Sequence, residues 1–452
     1  LAQHKAHATP TKDFFVRMIT KDISLEDCIL DLIDNCLDGA RKVKHAANAG
    51  VVVDNYSGFH AKVDFSDRQF CVADNCGGIK IAEAIDYAFH FGRRANAPSE
   101  GDYSIGLYGI GMKRAIFKIG NEIEIYSSTT TEAFRTKIDV TEWLTKMRAS
   151  TADGMQIEDW DFDMDDAPVI QGTGTTIAIT DLHPAIAAQF SNPEFGNGLA
   201  RIVGRDYAQF ISKGFEIVIN GRKIPGFPFT IRQSEEFKPV RTAYTDETGV
   251  EVEIIAGMAG APPDDLQASE RHADTDYFGW FVLCNDRVVV ASDKTDQTVW
   301  GDGEFPGWHY QYNGFIGVVS FHAKDPNLLP WRTTKRDVDG SSGVYRRAVE
   351  KMKDATRPWI KYTGDRRVDI EEAKRREASA TTQSLFEVQV NPTFNVPRVT
   401  ATADRIAVSS IQYSKPTSDI SKVKKMLGNA RMPNYRVGEM TFDYFVENES
   451  EE

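Results

Sequence analysis

Between Leu25 and Lys44 the chain spells one helix with two competing stripes. Apolar residues recur at Leu25, Ile29, Leu30, Ile33 and Leu37, the spacing of a face that packs on a core. Threaded through them are Asp31, Asp34, Asn35 and Asp38. Asp31 and Asn35 are four apart and share a face, and Asp34 and Asp38 form a second such pair. Ser24-x-x-Asp27 reads as a capping box at the start, and Asn48-Ala-Gly50 as the stop. A merely solvated acidic face would not interleave with an apolar stripe. The helix is therefore expected to be half core and half site.

Two further stretches carry matching chemistry. Asp74-Asn-Cys-Gly77-Gly78-Ile79 puts a carboxylate where a strand runs into a glycine turn. Such a carboxylate can accept from an exocyclic amine, and the glycines let the backbone pass close beneath a flat ring. Ile105-Gly106-Leu107-Tyr108-Gly109-Ile110-Gly111-Met112-Lys113-Arg114 enters an apolar helix. Successive amides at a helix N-terminus make an anion nest, and Lys113 adds a point charge. The glycine order is not the dinucleotide fingerprint, and no Gly-Lys-Ser/Thr loop is present. Water attacking a phosphate needs a carboxylate to orient and deprotonate it, and Mg²⁺ to neutralise charge. Asp31 suits the first role, with Asp34 as runner-up. The Asn35 side-chain carbonyl suits the second.

The rest of the chain reads as alternating strands and helices. Val51–Val53, Ala61–Phe65 and Gln69–Ala73 are expected strands, followed by a helix over Ile81–Phe91 and a polar, glycine-rich loop over Gly92–Gly111, expected to be mobile without ligand. Glu122–Ser128, Ala133–Asp139 and Thr175–Thr180 read as strands. Asn220-Gly221 and Asn285-Asp286 read as hairpin turns. Phe315–Phe321 is an expected strand and Gly343–Tyr362 a helix. The charged run Glu371–Glu377 and the Ser/Thr-rich stretch after it read as a helix end and linker. A short helical pattern, Ile420–Leu427, precedes an acidic tail.

Composition narrows the function classes. With 452 residues there is room for two or three cored domains. A net charge of −13 is not that of a general polyanion binder. Five cysteines without paired spacing point to buried free thiols rather than disulfides or zinc. No apolar run approaches a membrane span, and Leu1-Ala-Gln-His-Lys carries no signal region, so a cytoplasmic protein without membrane contact is expected.

In order and chemistry these motifs resemble the GHKL ATPases, the group of gyrase, MutL, heat-shock chaperone ATPases, histidine kinases and MORC proteins. The resemblance implies an α+β fold: a GHKL (Bergerat) α/β sandwich ATPase domain over 1–230, then a ribosomal-protein-like βαβ transducer domain over 231–365. A linker and C-terminal extension of unknown role would fill 366–452. It implies Mg²⁺ and ATP as cofactors, with Asp31 at the position of the usual glutamate base. Asp74 would take the adenine amine, with Gly78 and Ile79 beneath the base and Thr175, after Gly174, bridging to it. Cys76 stands at the first glycine of the family's Asp-x-Gly-x-Gly. Gly106, Leu107, Tyr108, Gly109, Ile110, Gly111, Met112 and Lys113 would form the phosphate lid, while Asp34 and Asp38 would complete the pocket.

Ile-Gly-Leu-Tyr-Gly-Ile-Gly-Met-Lys is most similar to the MORC branch, as is the strand pair Gly279-Trp-Phe-Val-Leu-Cys-Asn-Asp-Arg-Val-Val-Val. Leu329-Pro-Trp-Arg332-Thr-Thr-Lys335-Arg336 resembles the loop that returns a lysine to the γ-phosphate. Lys335 is the candidate, ahead of Arg332 and Arg336. The resemblance thus implies a slow ATPase working as a nucleotide-gated homodimeric clamp on nucleic acid, with Pro10–Asp22 crossing to the second subunit. A heat-shock-type remodelling chaperone and an ATP sensor signalling to a protein partner are the alternatives. Salt-dependent DNA binding, client rescue and turnover distinguish the three.

Overall fold

The alternating burial of His60–Phe65, with Ala61, Val63 and Phe65 inward and Lys62 and Asp64 outward, is the pattern of a half-buried strand. In the computed structural model it lies inside an eight-stranded sheet. The structure describes residues 10–47, 55–92, 103–106, 109–149, 156–169, 172–264, 275–399 and 411–449. Strand order in the sheet is Arg222–Lys223, Glu216–Ile219, His60–Phe65, Phe70–Asp74, Gly174–Leu182, Gly120–Ser128, Ala133–Asp139, Met164–Asp166. Every pairing is antiparallel except His60–Phe65 with Glu216–Ile219. Asp74 thus ends a central strand, one residue past Ala73, which pairs with Thr176; Thr175, after Gly174 on that neighbouring strand, points its N–H at the Asp74 carboxylate.

The helix Leu25–Ala47 forms as its pattern dictates. Ser24 Oγ accepts from Asp27 N at 3.0 Å, and Leu25, Ile29, Leu30, Ile33 and Leu37 are buried. It packs along the helix Gly111–Ile119. The N-terminal helix Lys12–Lys21 packs on Gly111–Ile119 in turn. Lys12 is buried with Nζ against the Trp143 ring and 3.0 Å from the Lys146 carbonyl, while the Phe15 ring meets Phe91 and Trp160 edge-on.

A five-stranded sheet follows, in the order Val240–Thr245, Glu251–Met258, Phe315–His322, Gly279–Cys284, Arg287–Asp293. Phe315–His322 and Gly279–Cys284 run parallel. The helix Gly343–Asp365 covers this sheet, with Trp359 and Trp280 wholly buried. Both hairpin turns form with left-handed backbone, at Asn220 (φ 45°) and at Asn285 and Asp286 (φ 47° and 70°). Both sheets lie in one compact unit that extends to Thr400, and Ala401–Glu452 is a separate unit. The latter, described over 411–449, holds the helices Thr417–Met426 and Asn434–Glu449, so helix continues well into the stretch read as an acidic tail.

Three expectations change. The charged run is not a helix end and linker: Ile370–Ala378 is its own helix, and Thr381–Ser384 pairs antiparallel with Thr230–Gln233. Glu377, fully buried, accepts from Tyr362 Oη at 2.6 Å and Arg366 Nε at 2.7 Å, which pins this segment to the preceding helix. A solvated run offers no such signal in sequence. Next, the helix expected over Ile81–Phe91 is one α-turn, Ile81–Glu83, that widens into a π-helix over Ala84–Ala88. Phe89 N bonds the Ala84 carbonyl five residues back. Third, the helices Pro184–Phe190, Pro193–Asp206 and Ala208–Ser212 had no place in the sequence reading. Val51–Val53 and residues 93–102 of the expected loop lie outside the described residues.

Candidate nucleotide site

The elements above enclose a cavity of about 600 Å³, within the range of ligand pockets. Its wall takes in Asp31, Asn35, Asp38, Asp74, Gly78, Ile79, Gly106, Gly109, Ile110, Gly111, Met112, Lys113, Thr175 and Lys335. Residues nominated from separate parts of the sequence therefore meet around one space. Leu107 and Tyr108 lie outside the described residues. Asp34 is the one nominated acid that the structure takes out of the wall: it is fully buried behind Asp31.

At the carboxylate end, Asp74 Oδ1 accepts from Cys76 N at 2.7 Å and from Thr175 N at 3.4 Å. Cys36 Sγ lies 3.6 Å from Oδ2. Burial pushes the Asp74 carboxyl up to about 6 against the pull of these hydrogen bonds. Gly174 allows the strands to close here, since a Cβ on it would stand 1.9 Å from the Asp74 carbonyl oxygen. Thr175 Oγ1 lies 2.9 Å from Ser127 Oγ, whose oxygen also accepts from Ile79 N at 2.8 Å. A buried carboxylate flanked by amides and a hydroxyl pair can fix the edge of a planar base.

Another part of the wall carries Lys335. Lys335 is the only one of the three basic residues of its loop in the wall; Arg332 pairs with Asp337, and Arg336 with Asp27 and Asp206. Lys335 Nζ lies 2.7 Å from Asp34 Oδ2 and 3.4 Å from Asp31 Oδ1. Its backbone is left-handed, φ 54°, a strain of about 1–2 kcal/mol. Two bonds hold it there: Lys335 N donates to the Arg332 carbonyl at 2.9 Å, and Arg287 NH1 donates to the Lys335 carbonyl at 2.8 Å. Burial lowers the Lys335 ammonium, but Asp34 and Asp31 outweigh it and keep it charged.

Asp34 is the anchor of this cluster. Arg287 Nε donates to it at 2.9 Å, and Tyr207 Oη lies 2.8 Å away. Burial raises its carboxyl, yet Arg287 and Lys335 overcome that and hold it below the ordinary carboxylate range. Asp38 serves the glycine-rich segment instead, accepting from Ile105 N at 2.8 Å and Gly106 N at 2.6 Å. Lys113 Nζ donates to the Ala88 carbonyl at 2.7 Å, so an anion here would compete with that oxygen.

Mg²⁺ fits the donor set. Asn35 is exposed and lines the cavity, where its side-chain oxygen can serve as one ligand. One amide oxygen, with phosphate and water oxygens for the rest, is the habit of Mg²⁺.

Sequence reasoning passed over Arg114, whose guanidinium bonds Asp31, and the Asp34 partners Arg287 and Tyr207. Arg114 had a local signal, standing three residues after Gly111 on the same helix face. Arg287 and Tyr207 come from distant segments and had none.

Residues 23–160 match the family model of histidine kinase-, DNA gyrase B-, and HSP90-like ATPases. The match supports a GHKL-type ATPase domain in this part of the chain, and with it ATP binding. It spans the segments of Asp31, Asn35, Asp74 and Lys113, while Thr175 and Lys335 lie beyond it. No curated protein matches the chain. Among the described residues, no helix is long and apolar enough to cross a membrane.

Proposed function

We propose that this chain is a slow Mg²⁺-dependent ATPase that works as a nucleotide-gated dimeric clamp on nucleic acid, of the MORC-like kind. One observation carries the reading: Lys335, from a loop beyond the second sheet, reaches the same cavity wall as Asp31 and Asn35. A cation carried to the phosphates by the loop after the second sheet is the wiring by which nucleotide state can move that sheet.

In this reading Asp74 holds the adenine amine, the amides of Gly109–Met112 face the phosphates, and Asn35 supplies the protein ligand to Mg²⁺. The metal, when bound, neutralises phosphate charge. Asp31 orients a water and takes its proton as the water oxygen bonds the γ-phosphorus. The bond from that phosphorus to the bridging oxygen breaks, and ADP leaves with the electron pair. The five-stranded sheet and its covering helix are the transducer.

A second reading has its own support. Asp31 is held by Arg114 on one oxygen and faced by Lys335 on the other, so a water would have to share an acceptor that already has cationic neighbours. That favours an ATP sensor with little turnover, signalling to a protein partner.

Isothermal calorimetry tests the pocket. Asn35→Ala is expected to abolish the Mg²⁺ dependence of ATP binding, and Asp74→Asn to weaken adenine recognition. Unchanged affinity in both variants would overturn the assignment.

A further inference from the structure

The helix Gly111–Ile119 begins against Asp31. A Cβ on Gly111 would lie 3.2 Å from Asp31 Cγ and 3.3 Å from Oδ2, so only glycine lets the first turn come this close without a shift. Three residues on, and so on the same face, Arg114 reaches back to the same carboxylate. Its Nε lies 2.7 Å and its NH2 2.5 Å from one oxygen, Oδ2. The other oxygen, Oδ1, has Lys335 Nζ at 3.4 Å, and that ammonium sits closer to Asp34. One oxygen of Asp31 is clamped and the other is loosely held.

We propose that Arg114 is a positioning residue for Asp31: it fixes the rotation of the carboxylate so that Oδ1 remains the acceptor for the attacking water. The inference rests on the reading of Asp31 as the residue that orients this water. Three arguments support it. A carboxylate turns freely about its last bond unless one oxygen is pinned, and two nitrogens converging on Oδ2 pin it. A guanidinium is planar and presents its N–H groups in a fixed fork, so the clamp holds one geometry. Phosphoryl transfer, with its loose transition state, needs a well-placed acceptor more than a strong base.

A purely structural pair would look different. Buried ion pairs add little stability over well-packed apolar side chains. The neighbouring structural pair, Arg287 with Asp34, is sealed behind the cavity. Arg114 and Asp31 both line it. Nor is Arg114 placed as a simple phosphate ligand, since two of its nitrogens are committed to Asp31. It also follows Lys113 directly, so a phosphate drawn to Lys113 and the orientation of Asp31 are governed by one turn of helix.

The test is Arg114→Lys in the full chain, which keeps the charge and removes the two-nitrogen grip. The expected result is a kcat lowered about tenfold or more with KM for MgATP within about threefold, the signature of a transition-state interaction. The melting temperature is expected to be unchanged. In the Asp31→Asn background, measured by single turnover at high enzyme concentration, Arg114→Lys is expected to have no further effect. A raised KM at constant kcat would reassign Arg114 as a phosphate ligand. The same loss in both backgrounds, or a wild-type rate, would also overturn the proposal. Wild-type turnover in Asp31→Asn alone would instead remove the role of Asp31, and is seen before Arg114 is touched.

Discussion

Lys335 Nζ lies 2.7 Å from Asp34 Oδ2, although 301 residues separate them in the chain. The bond ties the loop after the second sheet to the helix that walls the cavity. Asp34 does not depend on it alone, because Arg287 at 2.9 Å and Tyr207 at 2.8 Å remain its partners. Lys335 can therefore turn toward an anion without orphaning a buried charge. An isolated Lys–Asp pair at this depth would resist such a turn, since an uncompensated buried carboxylate is strongly unfavourable.

Lys335→Ala follows from this geometry. ATP affinity is expected to stay within about threefold, and turnover to fall about tenfold or more, a loss of about 1.4 kcal/mol or above in transition-state charge stabilisation. Steady-state phosphate release and calorimetry on one preparation check both halves. A wild-type rate would reduce the Arg332–Arg336 loop to a structural turn.

Asp34→Asn is expected to act on stability rather than on chemistry. It leaves Arg287 and Lys335 buried with their shared counter-ion gone, which costs about 3–5 kcal/mol by analogy with other broken buried pairs. Denaturant titration should show a lower midpoint at an unchanged slope. Asp31→Asn, whose partners line the cavity, is expected to shift the midpoint less. Equal midpoints for the two variants would refute the separation of anchor from site.

What sequence could show, and what it could not, divides along physical lines. The Leu25–Ala47 helix was legible because burial and a 3.6-residue period leave a stripe, and the meeting of Asp31, Asn35 and Asp74 in one cavity wall because polar groups beside apolar or glycine positions stand out. Both hairpin turns were legible because Asn-Gly and Asn-Asp tolerate positive φ. Asp34 was misplaced because helix periodicity gives its angle around the axis and not what lies opposite; Tyr207 and Arg287 arrive through tertiary packing. The π-helix at Ala84–Ala88 differs from an α-turn by one hydrogen-bond register, which residue types hardly encode. Thr381–Ser384 read as linker because a four-residue polar strand has no apolar alternation, and its pairing with Thr230–Gln233 depends on a chain reversal through Ile370–Ala378.

Acidification should weaken ATP binding through Asp74. Its carboxyl is pushed up to about 6 by burial. The ionised form offers two acceptors to an amine, and protonation turns one into a donor. Affinity is expected to be flat above about pH 7 and to fall about tenfold by pH 5, following the ionised fraction of a group with that pKa. Asp74→Asn should remove this dependence. The effect on fold stability has the opposite sign: the folded carboxyl keeps its proton to higher pH than the unfolded one, so its contribution declines as pH rises from about 4 to about 6. Affinity that is constant from pH 8 to 5 would show that Asp74 does not face the ligand.

The N-terminal helix decides between clamp and sensor. Lys12 and Phe15 hold it on its own subunit, so Pro10–Asp22 is not a free arm. Its other face leaves Phe14 59 % and Met18 52 % exposed, four residues apart on one stripe. Each such side chain is already about half covered, so covering the rest contributes about 1 kcal/mol, and a two-fold contact would use each of them twice. Sedimentation at micromolar protein is expected to show a dimer with Mg²⁺ and a non-hydrolysable ATP analogue, and a monomer without. Phe14→Asp combined with Met18→Lys should stay monomeric in both conditions while binding the analogue with wild-type affinity, because neither residue lines the cavity. A wild-type chain that remains monomeric with the analogue would remove the clamp and leave Lys335 as the readout of an ATP sensor.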